Sequence, residues 1–252
     1  MAKQGGMGDR FYVDEFNLSG DIGSLSNVHG GPAPGIVTDI TQSAESRIGL
    51  LRDGGLGFVA WFNPSTTAGA EGSHAILKTR PTADRICTYL IGTAVGNPAA
   101  SIVSKQINYD GTRGQDASYT HAVDVQGNGF GLEWGIQATA GSQSATVAGS
   151  NASIDNGAAT AFGASVYVHL TSFTGTDIFI GWNHSTDDGG GDPFATLDGG
   201  SLEAGFSAVG KQRLTTSTVT TSIKRYTKMY FTGTFSQATF VVNFVRYLTA
   251  QS

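Results

Sequence analysis

The sequence predicts a mainly β protein. A β-sandwich or barrel with one short helix is followed by a second β-sandwich or jelly-roll-like domain. Three observations carry that expectation. Gly supplies 36 of 252 residues, about twice its usual share, which favours tight turns. Charged residues make up only 14%, too few for long surface helices rich in Glu, Lys and Arg. Apolar residues recur at period two in the second half: Val166, Val168 and Leu170, then Ile178, Ile180 and Trp182, then Phe240, Val242 and Phe244.

The first element in order is a strand over Gly54 to Phe62, after an Asp53-Gly54 turn. Leu56, Phe58, Ala60 and Phe62 share one face of it, and Asn63-Pro64 closes it. RPTADRICTYLIG then reads as the short helix. Thr82 stands at the N-cap, Ile86, Tyr89 and Leu90 form one stripe, and Gly92 ends it. AASIVSKQ is the next strand and leads to an Asp110-Gly111 turn. Strands at Tyr119 to Val125 and Leu132 to Ala138 flank QGNGFG, where Asn128-Gly129 is the strongest hairpin signal in the chain. Leu132, Trp134 and Ile136 alternate to one side of the second of these.

Ala140 to Gly163 is low in complexity and poor in large side chains, and it divides the chain into residues 1–150 and 151–252. Beyond it everything reads as β, with strands in SLEAGFSAV, RLTTSTVTTSI, RYTKMYF and ATFVVNFVRYL and almost no helix. With Val168 pointing inward, His169 is expected to face solvent or an interface.

Charge is segregated along the chain. No Lys or Arg occurs between Arg113 and Lys211, while ten acids accumulate there. After Glu203 only bases follow: Lys211, Arg213, Lys224, Arg225, Lys228 and Arg246. Such a division is suited to setting the register of copies across an interface. The net charge of -5 argues against free nucleic-acid binding, which needs a clustered basic surface. It suits a wall that DNA slides past. No run of 18 apolar residues exists to insert in a membrane as a helix, and the N-terminus lacks the apolar centre of a secretory signal. Cys87 is the one cysteine, which excludes an intrachain disulfide and points to a buried thiol and a cytosolic assembly route.

Few residues suggest chemistry. Asp187, Asp188 and Asp192 in STDDGGGDPF are the one cation-site signal, read either as calcium ligands or as an ordinary acidic turn, with Asp198 able to join either. The spacing is not that of an EF-hand. The five histidines form no HExxH and no cluster with cysteine. There is no GxSxG elbow and no phosphate-binding GxxxxGK[ST]; the prolines of GGPAPG remove the donors a phosphate cradle needs. Glu133 beside Trp134 is a candidate carboxylate with a sugar platform, but it has no identified partner acid. KRYTKMYFTGTF is read as β surface and core rather than a base-stacking platform.

MGDRFYVDEFNLSGDIGSLS, SRIGLLRDGGLGFVAWFNP, KQINYDGTRGQD with the later LEWG, and KRYTKMYFTGTFSQATFVVNFVR together span most of the chain. These segments resemble virion structural proteins of tailed phages that infect actinobacteria, and most of all siphophage major tail (tail-tube) proteins. The resemblance implies a noncatalytic subunit without cofactors. It would self-associate into hexameric rings that stack into a tube, contact other virion proteins and line a passage for DNA. Leu56 to Phe62 and Leu132 to Ala138 would belong to the tube scaffold, and residues from about 155 onward to an exterior domain. Asn17 to Gly35 would order against a neighbour. The alternatives are a capsid decoration protein and a glycan-binding virion protein.

Overall fold

The computed structural model describes residues 6–250, and almost every element in it is a strand. In chain order these are β1 (Arg10–Val13), β2 (Phe16–Asn17), β3 (Ile22–Ile36), β4 (Arg47–Trp61), helix α1 (Ser73–Leu77), β5 (Arg85–Leu90), β6 (Pro98–Gln106), β7 (Asp110–Arg113) and β8 (Tyr119–Gln137). There follow β9 (Gln143–Ala145), β10 (Gly149–Ser150), β11 (Ile154–Asp155), β12 (Ala164–Ser185), β13 (Ala195–Thr196), β14 (Ala204–Phe206), β15 (Gly210–Thr215) and β16 (Tyr226–Arg246). A single 3-10 turn spans Leu197–Gly200. The mainly β class with one short helix is as the sequence predicts. No helix among the described residues is long and apolar enough to cross a membrane.

The helix stands elsewhere than expected. Arg85–Leu90 is strand β5, buried on both faces. Arg85, Cys87 and Thr88, the positions that a helical stripe would leave in water, are as buried as Ile86 and Leu90. Period 3.6 cannot be read from a segment with no wet side. The Asp53-Gly54 and Asp110-Gly111 turns are also strand interior, in β4 and β7. Asn128-Gly129 lies inside β8, where positive φ at Gly129 (89°) and Gly131 (68°) kinks the strand without ending it.

The chain forms two compact units that are discontinuous in sequence: residues 1–19, 88–101 and 134–252 in one, residues 20–87 and 102–133 in the other. The hydrogen-bonded path β13-β12-β16-β8-β6-β5-β1-β2 takes in the three strands, β5, β6 and β8, that run through both.

The first unit is built on the antiparallel pair β12 and β16, in register from Ala164 opposite Arg246 to Ser185 opposite Tyr226, with bulges near Ser172 and Gly175. The two apolar rows read from sequence meet here. Val166, Val168, Leu170, Ile180 and Trp182 share one core with Phe240, Val242 and Phe244, and Trp182 stacks on Phe244 at 4.2 Å. The low-complexity residues 140–163 lie along β16 as the short strands β9, β10 and β11. β15 pairs the other edge of β12 from Ser165 to Leu170.

Ala164 to Leu170 is buried on both faces, which corrects the expectation for His169. Behind the ladder lies a second apolar layer of Tyr12, Leu90, Ala99 and Val241. His169 faces that side with no exposure at all. Its Nδ1 lies 2.5 Å from the Asp14 carbonyl and its Nε2 lies 2.7 Å from Thr88 Oγ1. Thr88 meets Ser101 at 2.8 Å, and Asn243 donates to Ser101 at 2.8 Å. Partners of this kind offset the cost of burying polar side chains on the covered face of a sheet.

The second unit orders its strands β3-β4-β8-β7. Leu56, Phe58 and Ala60 of β4 form its buried row as expected, with Val123 and Val125 of β8 alongside; Phe62 lies past the strand end and is part-exposed.

Candidate interaction surface

β3 and β4 pair from Ile22 opposite Ala60 out to Ile36 opposite Arg47. Only the inner part of this hairpin is covered. Gly54 to Phe58 are buried, whereas Arg47 to Arg52 and the residues opposite them, from Pro32 to Ile36, are open or nearly so on both faces. This outer part is an arm of four residue pairs interrupted by a bulge, six residues and roughly 20 Å long on β4.

The arm carries its apolar residues into water. Ile36 is 64% exposed, Leu51 is 86% exposed, Ile40 at the tip is fully exposed, and Val37, Ile48 and Leu50 are about half exposed. The tip is nonetheless locally ordered: Val37 N donates to Ser46 O at 2.9 Å, Ser46 N to Thr38 Oγ1 at 2.9 Å, and Thr41 N to Asp39 Oδ1 at 2.8 Å. A two-stranded ribbon with no covered face is marginal in water, and this many large apolar side chains left bare on it make the arm the candidate interaction surface. The sequence reading misses the arm. Its signal is the apolar RIGLL next to the polar TQSAES, with neither helical nor strand period.

The other end of this hairpin, where Ile22 faces Ala60, is clamped. Asn63 Nδ2 donates to Asp21 Oδ1 at 3.0 Å, and Ser73 N at the start of α1 donates to Asp21 Oδ2 at 2.8 Å. Ser73 Oγ donates to Trp61 O at 2.5 Å, and His74 N donates to Asn63 O at 3.0 Å. Asn17 to Gly35 is thus not loose chain awaiting a neighbour: from Ile22 onward it is strand paired within its own subunit.

The charge division closes within the first unit. Lys211 pairs with Asp14, Lys224 with Asp192 at 2.8 Å and Arg225 with Asp155 at 2.6 Å. Arg213 Nε donates to Tyr167 Oη at 3.0 Å, Lys228 lies over the Phe194 ring at 4.6 Å, and Arg246 donates to the carbonyls of Ala158 and Asn156. All six C-terminal bases have partners in their own chain, but only Lys224 and Arg225 reach acids of the stretch between Arg113 and Lys211.

The acidic loop is similarly occupied. Asp187 accepts from the amides of Gly191 and Asp192, and Asp192 accepts from Thr186 N at 2.8 Å and from Lys224 Nζ. The Lys224 ammonium and these donors hold the Asp192 carboxyl down at about 2. Asp188 stands at the turn with φ of 62°, and Asp198 bonds Ser201 and Ser217 instead of joining the loop. Among the described residues no three His, Cys, Asp or Glu side chains are grouped to hold a metal ion. Glu133 is buried and reaches Arg52 at 3.4 Å, whereas Trp134 is half exposed. Carboxylate and indole face different surroundings and do not form a sugar platform together. Leu132 is buried, so the alternation expected for Leu132 and Trp134 does not hold.

No protein-family model matches this sequence, and no curated protein matches it. Solved structures do. A chain of the virion of a native gene transfer agent particle is similar over 52% of this chain and 98% of its own, at 9% identity and a TM-score of 0.40. The SPP1 Dit protein, described as a hub adsorption apparatus of phages infecting Gram-positive bacteria, is similar over 94% of this chain and 99% of its own, at 8% identity and a TM-score of 0.35. A chain of the phage p2 baseplate is similar over 93% and 98%, at 5% identity and a TM-score of 0.32.

Proposed function

We propose that this chain is a noncatalytic structural subunit of a tailed-phage virion that assembles with copies of itself, and that it forms stacked hexameric rings of a tail tube through which DNA passes. The sequence segments that resemble tail-tube proteins support the virion reading. The observation that carries self-assembly is the arm, which presents six large apolar side chains that its own chain does not cover. Burying each is worth about 1.5–3 kcal/mol, so the arm supplies on the order of 10 kcal/mol against an association cost of about 4–15 kcal/mol. In this reading the arm-bearing unit makes the ring, and the unit built on β12 and β16, which contains residues 151–252, forms the jelly-roll-like β-sandwich on the outside.

The test is negative-stain electron microscopy of the purified full chain at rising concentration, beside Ile40→Asp/Leu51→Asp. Hollow rings or tubes from the wild type, absent from the double variant, support the reading. Monomers or trimers that bind only preformed capsids overturn the tail-tube assignment in favour of decoration. Compact particles that bind no capsid overturn both and point to glycan binding.

A further inference from the structure

His121 sits on β8 in the second unit with 3% exposure, and neither of its ring nitrogens has a hydrogen-bond partner among the described residues. It stacks flat on Tyr109 at 4.1 Å, meets Tyr119 edge-on at 4.7 Å, and lies 5.8 Å from Phe62 and 5.9 Å from His74. His74, the second residue of α1, meets Tyr109 Oη at 2.8 Å through Nδ1. An aromatic box therefore joins β8 to the helix that clamps the open end of the β3–β4 hairpin.

We infer that this box is an acid-sensitive latch, in which a proton on His121 separates the start of α1 from β8 and frees the open end of the β3–β4 hairpin, at Ile22 and Trp61. A neutral imidazole tolerates the site; an imidazolium there has two donors and no acceptor. The groups facing it offer no countercharge. Tyr109 and Tyr119 are phenols, with Tyr109 pushed up to about 12 by burial and by Tyr119, so they stay neutral in acid. Arg113 lies over the Tyr119 ring at 5.0 Å and adds positive charge, as does His74 when protonated. Asp110 on β7 is exposed, and Asp21 is engaged by Asn63 and Ser73. Burial and the neighbouring His74 both lower the pKa of His121. Its neutral packing therefore holds fully above the ordinary histidine range and is lost as pH falls through the lowered value.

The moving part is the N-terminal half of α1. Its C-terminal end is held separately, by Arg85 NH2 to Ile76 O at 2.8 Å and Gln106 Nε2 to Leu77 O at 2.7 Å. Release at Ser73 and His74 undoes the contacts to Asp21, Trp61 and Asn63 that fix the hairpin's base.

Hydrogen exchange of the dilute, unassembled full chain between pH 7.5 and 4.5 tests it. After correction for intrinsic rates, protection of the amides from residue 72 to 76 is expected to fall at least tenfold in acid. His121→Phe, which keeps a stacked ring without a proton site, abolishes the fall. His74→Gln, which keeps a partner for Tyr109, moves the midpoint to higher pH because one opposing charge is gone. Protection that does not change with pH, or an equal fall in His121→Phe, overturns the latch.

Discussion

His169 Nε2 and Thr88 Oγ1 meet at 2.7 Å with neither side chain exposed, joining the middle of β12 to β5 inside the first unit. His169→Leu removes this bond and leaves the Asp14 carbonyl without its partner. A loss of about 2–4 kcal/mol is expected. Chemical denaturation, read by tryptophan fluorescence, checks it.

The same residue sets part of the acid stability. Burial lowers the His169 pKa from 6.5 to about 4. The unfolded chain therefore takes up the proton first as pH falls. The stabilisation is complete above 6.5 and drains away down to about 4, by about 3 kcal/mol in all. Denaturant midpoints measured across this range should slope upward with pH, and the slope should be shallower in His169→Gln.

Arg52→Met leaves the Glu133 carboxylate buried without its cation at 3.4 Å. Breaking such a pair from one side costs about 3 kcal/mol. Glu133→Gln should cost less, because the amide needs no countercharge. Urea titrations of the two variants side by side give the comparison.

Gly54→Ala should destabilise the second unit severely. A Cβ there falls 2.6 Å from Leu132 N and 2.9 Å from His29 O, both backbone atoms with no room to yield. A loss of more than about 3 kcal/mol is expected. Expression with a thermal melt reports it; a variant as stable as wild type would show that β8 can shift here.

Thermal melts of the wild type in excess calcium and in chelator should coincide. Lys224 already neutralises Asp192 at 2.8 Å, and Asp187 is taken up by amides. A melt raised several degrees by calcium would restore the loop as a cation site.

The fold class is legible where one face of a strand is wet or where a row is uniformly apolar. Val166, Val168 and Leu170, and Phe240, Val242 and Phe244, fall where expected because large β-branched and aromatic residues at period two have one reading. His169 and Arg85 do not, because their strands are covered on both sides, and a single sequence does not show what covers the second. Asp53-Gly54 and Asn128-Gly129 carry the composition of turns, yet their glycines answer a close backbone approach and a kink. The arm is hidden for the opposite reason: its apolar residues look like core until the partner strand is seen to leave them bare. The C-terminal bases are legible as a group, but their partners lie far away in sequence, as Arg225 does from Asp155.

The long pairing of β12 with β16 also determines how the first unit bears load. The two strands run antiparallel side by side from Ala164 opposite Arg246 to Ser185 opposite Tyr226. A pull along their axis loads these rungs in parallel, so they must fail together, whereas peeling from one end would open them one at a time. The unit is a shear joint, strong along the strands and weakest where the bulges near Ser172 and Gly175 interrupt the rungs.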